Sequence, residues 1–284
     1  MALPSYATPV QRTYYYAYLF FCGVVFFFLI APLIAIIPIS FSVSPFMVFT
    51  DEMLTWPPDP DAWSLRWYKN MIGNCSADVV SSTVPCSNKW MIGTVNSFFI
   101  GFVATFIATT LGTLAALGLS RPHMPYKGLI MAILISPMIV PLIITAAGMF
   151  FFYARINLVY SFTGIILAHV ALATPFVVIT VTATLVGFDM NMVKASQSLG
   201  ARPVRTFFKV IMPLILPGVI SGALFAFITS FDEVVIVMFM ASLDQLTIPK
   251  QMWAGIRQEI SPVTVSYTHL RAHETEADLV CRLL

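Results

Sequence analysis

Charge is scarce in this chain. Of 284 residues only 10% are Asp, Glu, Lys or Arg, against about 25% in soluble globular proteins. The apolar fraction is 58% and the mean hydropathy is +0.87. A chain this apolar cannot hide its side chains in one water-facing core, so lipid is its solvent. The net formal charge of +2 provides no basic field for nucleic acid. Cysteine is also sparse, with four residues and no CxxC spacing, which argues against a zinc site. No GxxxxGK[ST] phosphate loop occurs, so the chain is not expected to bind ATP itself. No Ser-His-Asp or Cys-His constellation stands in a supporting context, and we do not read the chain as an enzyme. His123 and His169 are lone histidines and are read as structural. The methionines are read as core or lipid-facing fillers.

Long apolar runs are what the sequence does have. A membrane-spanning helix needs about 20 predominantly apolar residues. Five runs qualify, at about 14–39, 93–119, 129–152, 158–186 and 214–240. The first is too long for a signal-peptide core and opens on Tyr14, Tyr15 and Tyr16, which suit a membrane interface, so it is read as an uncleaved span. Pro137, Pro141 and Pro175 lie inside spans. Neighbouring helices can re-satisfy the backbone groups such prolines free, which favours a bundle. Asn96 and Ser97 near the start of the second span suit cross-linking between helices.

Lys and Arg in short loops set the orientation. The 120–128 loop carries Arg121 and Lys127, and the 188–213 loop carries Lys194, Arg202, Arg205 and Lys209 against Asp189. The 40–93 loop is net acidic and has room for a short helix near 62–71. These loops place the N-terminus, 120–128 and 188–213 in the cytoplasm and 40–93 outside. In that oxidising compartment Cys75 and Cys86 are a candidate disulfide, two free thiols being the alternative. After Ser261 the chain reads PVTVSYTHLRAHETEADLVCRLL, too polar for a span. We expect residues 266–284 to be a non-native tail, and a sixth span to be truncated. The expected fold is therefore all-α, a polytopic transmembrane helix bundle with five spans present, its permease domain covering 1–265.

The stretch from Met192 to Pro217 is the most informative. Val193, Gln197 and Leu199 suit a short helix that ends at Gly200, a C-cap residue. Pro203 sits early in a second helix, where its missing N–H costs little. Phe207, Phe208, Val210 and Ile211 give that helix an apolar face, and the run is expected to close at Pro213, before the next span. Two short helices at a right angle would make a knob able to enter a groove on a partner. In the fifth span, Asp232 and Glu233 are adjacent acids inside an apolar run. Such acids usually face a bundle interior or a water-filled path, the alternative being a structural pairing. About 100° apart on a helix, at most one points straight at a pathway.

These residues resemble a known family. Ala195, Leu199, Gly200, Ala201, Phe207, Pro213 and Pro217 match the docking loop of type I ABC importer permeases: Glu-Ala-Ala, then Leu-Gly-Ala, an aromatic, and two prolines. Lys194 stands where that family usually has Glu, and Ser196 replaces the second Ala. Ser230-Phe231-Asp232-Glu233 is similar to a segment of the spermidine/putrescine importer group. Trp67-Tyr68, Pro175-Phe176-Val177-Val178, Gly187-Phe188-Asp189, Gly255-Ile256-Arg257 and Ile260-Ser261-Pro262 also look like that group, over about residues 12–265. The resemblance implies a permease subunit in the inner membrane, with Arg202 also in the ATPase-docking loop and Asp232 and Glu233 along a pathway for a small cationic solute. It implies as partners an ABC ATPase dimer carrying ATP and Mg, a second permease subunit and a periplasmic substrate-binding protein, and no cofactor in this chain. Secondary transport and a membrane scaffold remain alternative functions; an opine, another amine, an amino acid or iron remain alternative solutes.

Overall fold

The computed structural model describes residues 8–44, 48–56, 59–72, 88–121, 123–189 and 191–258. Cys75, Cys86 and the expected tail lie outside the described residues. No strand forms among the described residues; Ser42 and Trp63 make an isolated antiparallel bridge. Two compact units are present, residues 89–254 and the remainder.

In the remainder, α1 (Pro9–Ser40) starts with Thr8 and Gln11 capping each other's backbone, which satisfies amides that the first turn leaves without partners. Among the described residues it is the first of four helices long and apolar enough to cross a membrane. Past it come α2 (Asp51–Leu54) and α3 (Arg66–Met71). Trp67 is fully buried and donates its indole N–H to the Ser42 carbonyl at 2.7 Å. Tyr68 shares a 2.8 Å hydrogen bond with Ser40. The Trp67-Tyr68 pair thus folds this segment back on the end of α1.

The larger unit is built on α4 (Lys89–Leu119), α7 (Phe162–Val186) and α10 (Met212–Phe231). All three interfaces are closed by small residues. Val177 of α7 lies between Gly112 of α4 and Gly222 of α10: a Cβ on Gly112 would sit 2.7 Å from the Val177 Cβ, and one on Gly222 would sit 3.0 Å from the Val177 Cα. Ala104, Ala108, Ala116 and Ala226 continue the buried seam. Small residues let helix backbones approach where lipid gives no hydrophobic drive to association.

The expected third span is not one helix. It is α5 (Lys127–Ile139) and α6 (Leu142–Arg155), bent by 103°. Pro141 begins the second arm, and a residue before proline is driven out of helical conformation, as Val140 is at ψ 136°. Pro137, in contrast, stays within α5. It cannot donate to the Ile133 carbonyl, and Ser136 Oγ does so instead at 2.8 Å. The expected fifth span differs too. A helical run covers Pro203–Phe231 without a break: α9 (Pro203–Thr206), a π-turn (Phe207–Ile211), then α10. It does not close at Pro213. The π-turn contains Lys209, whose carbonyl the Pro213 ring would otherwise strike and whose hydrogen bond Pro213 cannot make. The run stops at Phe231, and α11 (Val235–Met240) and α12 (Ile248–Gln258) follow.

Replacing Gly112 or Gly222 with Val should destabilise the detergent-solubilised protein by about 1–3 kcal/mol, the cost of overpacking. Gly118→Val, where an added Cβ meets nothing within 4 Å, is the matched control. Thermal unfolding followed by size-exclusion chromatography measures the difference; equal behaviour of the three variants would refute the seam.

Candidate docking loop and acidic pocket

α8 (Asn191–Ser198) follows α7 and ends at Gly200, which has φ +80°. The Gly200 amide donates to the Gln197 carbonyl at 2.9 Å and the Ala201 amide to the Ser196 carbonyl at 3.1 Å. These paired bonds, six-to-one and five-to-two, are the Schellman closure that a left-handed glycine permits. Val193 and Ser196, three apart, turn partly inward, and Ser196 Oγ shares a 3.0 Å hydrogen bond with Thr206 Oγ1 of α9. That bond fixes how α8 leaves the head of the Pro203–Phe231 run. Lys194, Ala195, Leu199 and Arg202 are exposed; Ala201 and Phe207 are half-buried. Pro213 and Pro217 lie a helical turn or more into the run, away from α8 in sequence, and serve the span rather than a separate knob helix.

Asp232 and Glu233 stand in the break between α10 and α11, not inside a continuous helix. The expected angular separation on one helix therefore does not apply. Both line a cavity of about 330 Å3, with Leu142, Ile228, Thr229 and Val234. Asp232 is exposed, whereas Glu233 is buried and its Oε1 accepts the Ile236 amide at 2.9 Å. Glu233 thus caps the start of α11. At the other end Lys250 Nζ donates to the Ala241 carbonyl at 3.1 Å. Both contacts satisfy backbone groups that the ends of a helix leave without partners.

Just before the break, Ser230 Oγ meets His169 Nδ1 of α7 at 2.8 Å, both buried, which supports the structural reading of this histidine. The segment after α11 is tied to α4. Asn96 Nδ2 donates to the carbonyls of Asp244 and Leu246, and Ser97 Oγ accepts the Ile248 amide. The Asn96-Ser97 pair cross-links the bundle to a connection between helices rather than to a helix. Sequence reasoning did not find Leu142, Thr229 or Lys250. A Thr one turn before an acid is a weak signal, and Leu142 reaches the cavity only through the 103° bend.

Residues 108–268, more than half of the chain, match the family described as binding-protein-dependent transport system inner membrane component. The chain belongs to this family. Over 242 residues this permease is 28% identical to the spermidine/putrescine transport system permease protein PotC of Haemophilus influenzae, covering 85% of each chain. It is 27% identical to the PotC protein of Escherichia coli over 85% of this permease and 83% of that protein. It is also 27% identical to the putrescine transport system permease protein PotI of Escherichia coli, over 84% and 79%. A solved bacterial ABC transporter, involved in import of the acidic polysaccharide alginate, superposes with a TM-score of 0.70 at 14% identity. It covers 99% of this chain and 98% of its own, and it shows the fold alone. The chain is accordingly an all-α, multi-pass membrane permease component.

Gly200→Ala forces a side chain into the left-handed region at a cost of about 1–2 kcal/mol. Amides of α8 should then exchange with deuterium about five- to tenfold faster, while Gly187→Ala, at φ −85°, leaves them unchanged. Unaltered exchange in Gly200→Ala would refute the capping assignment.

Proposed function

We propose that this chain is a membrane-spanning permease subunit of an ATP-driven importer that carries spermidine or putrescine across the inner membrane. The observation that carries the reading is its similarity to polyamine permeases along 85% of its length. The loop charges support a cytoplasmic N-terminus and put α8 on the cytoplasmic side. There, residues 188–217 dock one subunit of an ABC ATPase dimer that binds ATP and Mg. A second permease subunit, identical or homologous, completes the pathway, and a periplasmic binding protein delivers the solute. ATP-driven closure of the ATPase dimer moves the docking loop and switches the pathway between inward and outward access.

Asp232 and Glu233 are the proposed pathway acids. A carboxylate at the edge of a cavity attracts an amine strongly where the surroundings are less polar than water. Glu233 is buried and holds the α11 amide, and Asp232 is the more exposed of the two carboxylates.

The test is reconstitution of the whole assembly in proteoliposomes. Spermidine uptake should require ATP on the ATPase side and should persist without an ion gradient; gradient-driven uptake without ATP would sink the reading. Gly200→Asp should uncouple ATP hydrolysis from uptake. Asp232→Asn should lower uptake about fivefold or more, the equivalent of roughly 1 kcal/mol of lost attraction, with hydrolysis intact. Unchanged uptake by that variant would remove Asp232 from the pathway.

A further inference from the structure

The following inference rests on the docking reading and adds the chemistry of the partner's surface. α8 presents two kinds of group to solvent. Met192 and Leu199 are apolar and open, Leu199 at 89% exposure. Lys194 falls between them in sequence, on the other side of the helix at about 100° per residue, and is exposed, as are Arg202 and Arg205 beyond the Gly200 cap. The inward set of Val193 and Ser196, with the Ser196–Thr206 hydrogen bond, fixes which side of α8 faces out. Acid is nearly absent. Asp189 is the acid of the 188–213 stretch, and its Oδ1 accepts the Asn191 amide. Among the described residues no ion pair engages Lys194 or Arg202.

An open apolar knob beside unpaired cations fits a groove with an apolar floor and carboxylates on its rim. Complementary charge of this kind chiefly selects partners and steers their encounter. Lipid headgroups are the other anionic surface near a membrane protein. Arg205 and Lys209 belong to the helical run that enters the span and suit that role. Lys194 belongs to α8, a separate helix set off by a left-handed cap.

We propose that Lys194, with Arg202 beside it, faces Asp or Glu side chains on the rim of the ATPase groove, so that this permease accepts an acid-rimmed ATPase and rejects a basic-rimmed one. Lys194 is then a specificity-determining residue, set by reversed charge at one exposed helix position.

The experiment uses the full chain co-expressed with the second permease and the ATPase of its own transporter. ATPase retained on the purified complex is measured at about 0.1 M and about 1 M KCl, where the screening length falls from about 10 Å to about 3 Å. Lys194→Glu should weaken retention about five- to tenfold at low salt, with Lys194→Gln between it and the native chain and the deficit closing at high salt. A photo-crosslinker at position 194 should mark a segment of the ATPase bearing Asp or Glu, and reversing that acid to Lys should restore Lys194→Glu. Retention unchanged or tightened in Lys194→Glu overturns the proposal, as does crosslinking to phospholipid instead of protein. Leu199→Asp separates the two readings. If it releases the ATPase while Lys194→Glu does not, docking stands and the charge selection fails. If Leu199→Asp also retains the ATPase, the docking reading itself fails.

Discussion

The rest of the larger unit depends on how closely α4, α7 and α10 approach one another around Val177. In water, apolar faces would drive three helices together. In lipid, the hydrocarbon tails are as apolar as the side chains, and only close packing and interhelical hydrogen bonds favour association. Gly112 and Gly222 remove the side chains that would hold their helices away from Val177, and Gly218 does the same against Thr184. That proximity is what lets His169 reach Ser230 across the α7–α10 interface, one residue before α10 ends. Widening the seam by one methyl group would move the end of α10, and with it the break that holds Asp232 and Glu233.

A second constraint follows from the same solvent. Backbone groups freed inside a membrane find no water, so each interruption of a helix must supply its own partners. Several interruptions among the described residues have them. Ser136 takes the carbonyl that Pro137 leaves open. Glu233 accepts an amide at the head of α11, and Lys250 donates to a carbonyl at its tail. Asn96 and Ser97 hold the backbone that follows. Several polar residues of the apolar runs thus stand where helices stop, whereas the threonines of α4 and α7 lie within their helices.

Much of this was legible in the sequence, and the failures share a cause. The apolar runs located the long helices, because length and hydropathy are local properties. Gly200 announced the end of α8, because a left-handed cap is also local. Residue type alone did not reveal what each proline does. Pro137 and Pro141 looked alike, yet one is absorbed by a neighbouring serine and the other stands at a 103° bend. Pro213 looked like a terminator and lies instead within a continuous run, because a π-turn takes up its clash. The break at Asp232 was hidden for the opposite reason. Neither Pro nor Gly marks it; the two acids themselves are the interruption, one of them spent on capping α11. The cavity they line needed Leu142, which only tertiary structure could bring.

The continuity of the Pro203–Phe231 run changes how the proposed docking loop and the acidic pocket relate. Were there two short helices and then a span, any movement of the loop would be dissipated at the joint between them. Instead α8 is tied through Ser196 and Thr206 to the first turn of a helical run whose last residue precedes Asp232. At about 1.5 Å per residue that run is roughly 40 Å long. Coupling over such a distance requires an element with two arrangements that both ends can bias. A single run of helix, held near its middle by the Gly218 contact to Thr184 and again by Gly222 against Val177, would suit a rocking motion in the proposed coupling: displacement of the α8 end in one direction would swing the Asp232 end in the other. The π-turn at Phe207–Ile211 lies on the α8 side of that pivot, so its widened backbone can bend without disturbing the seam. On the proposed coupling the seam would be the fulcrum as well as the core. The glycines that allow the helices to meet would then also decide whether force at α8 reaches the acids as rotation or is lost as local bending.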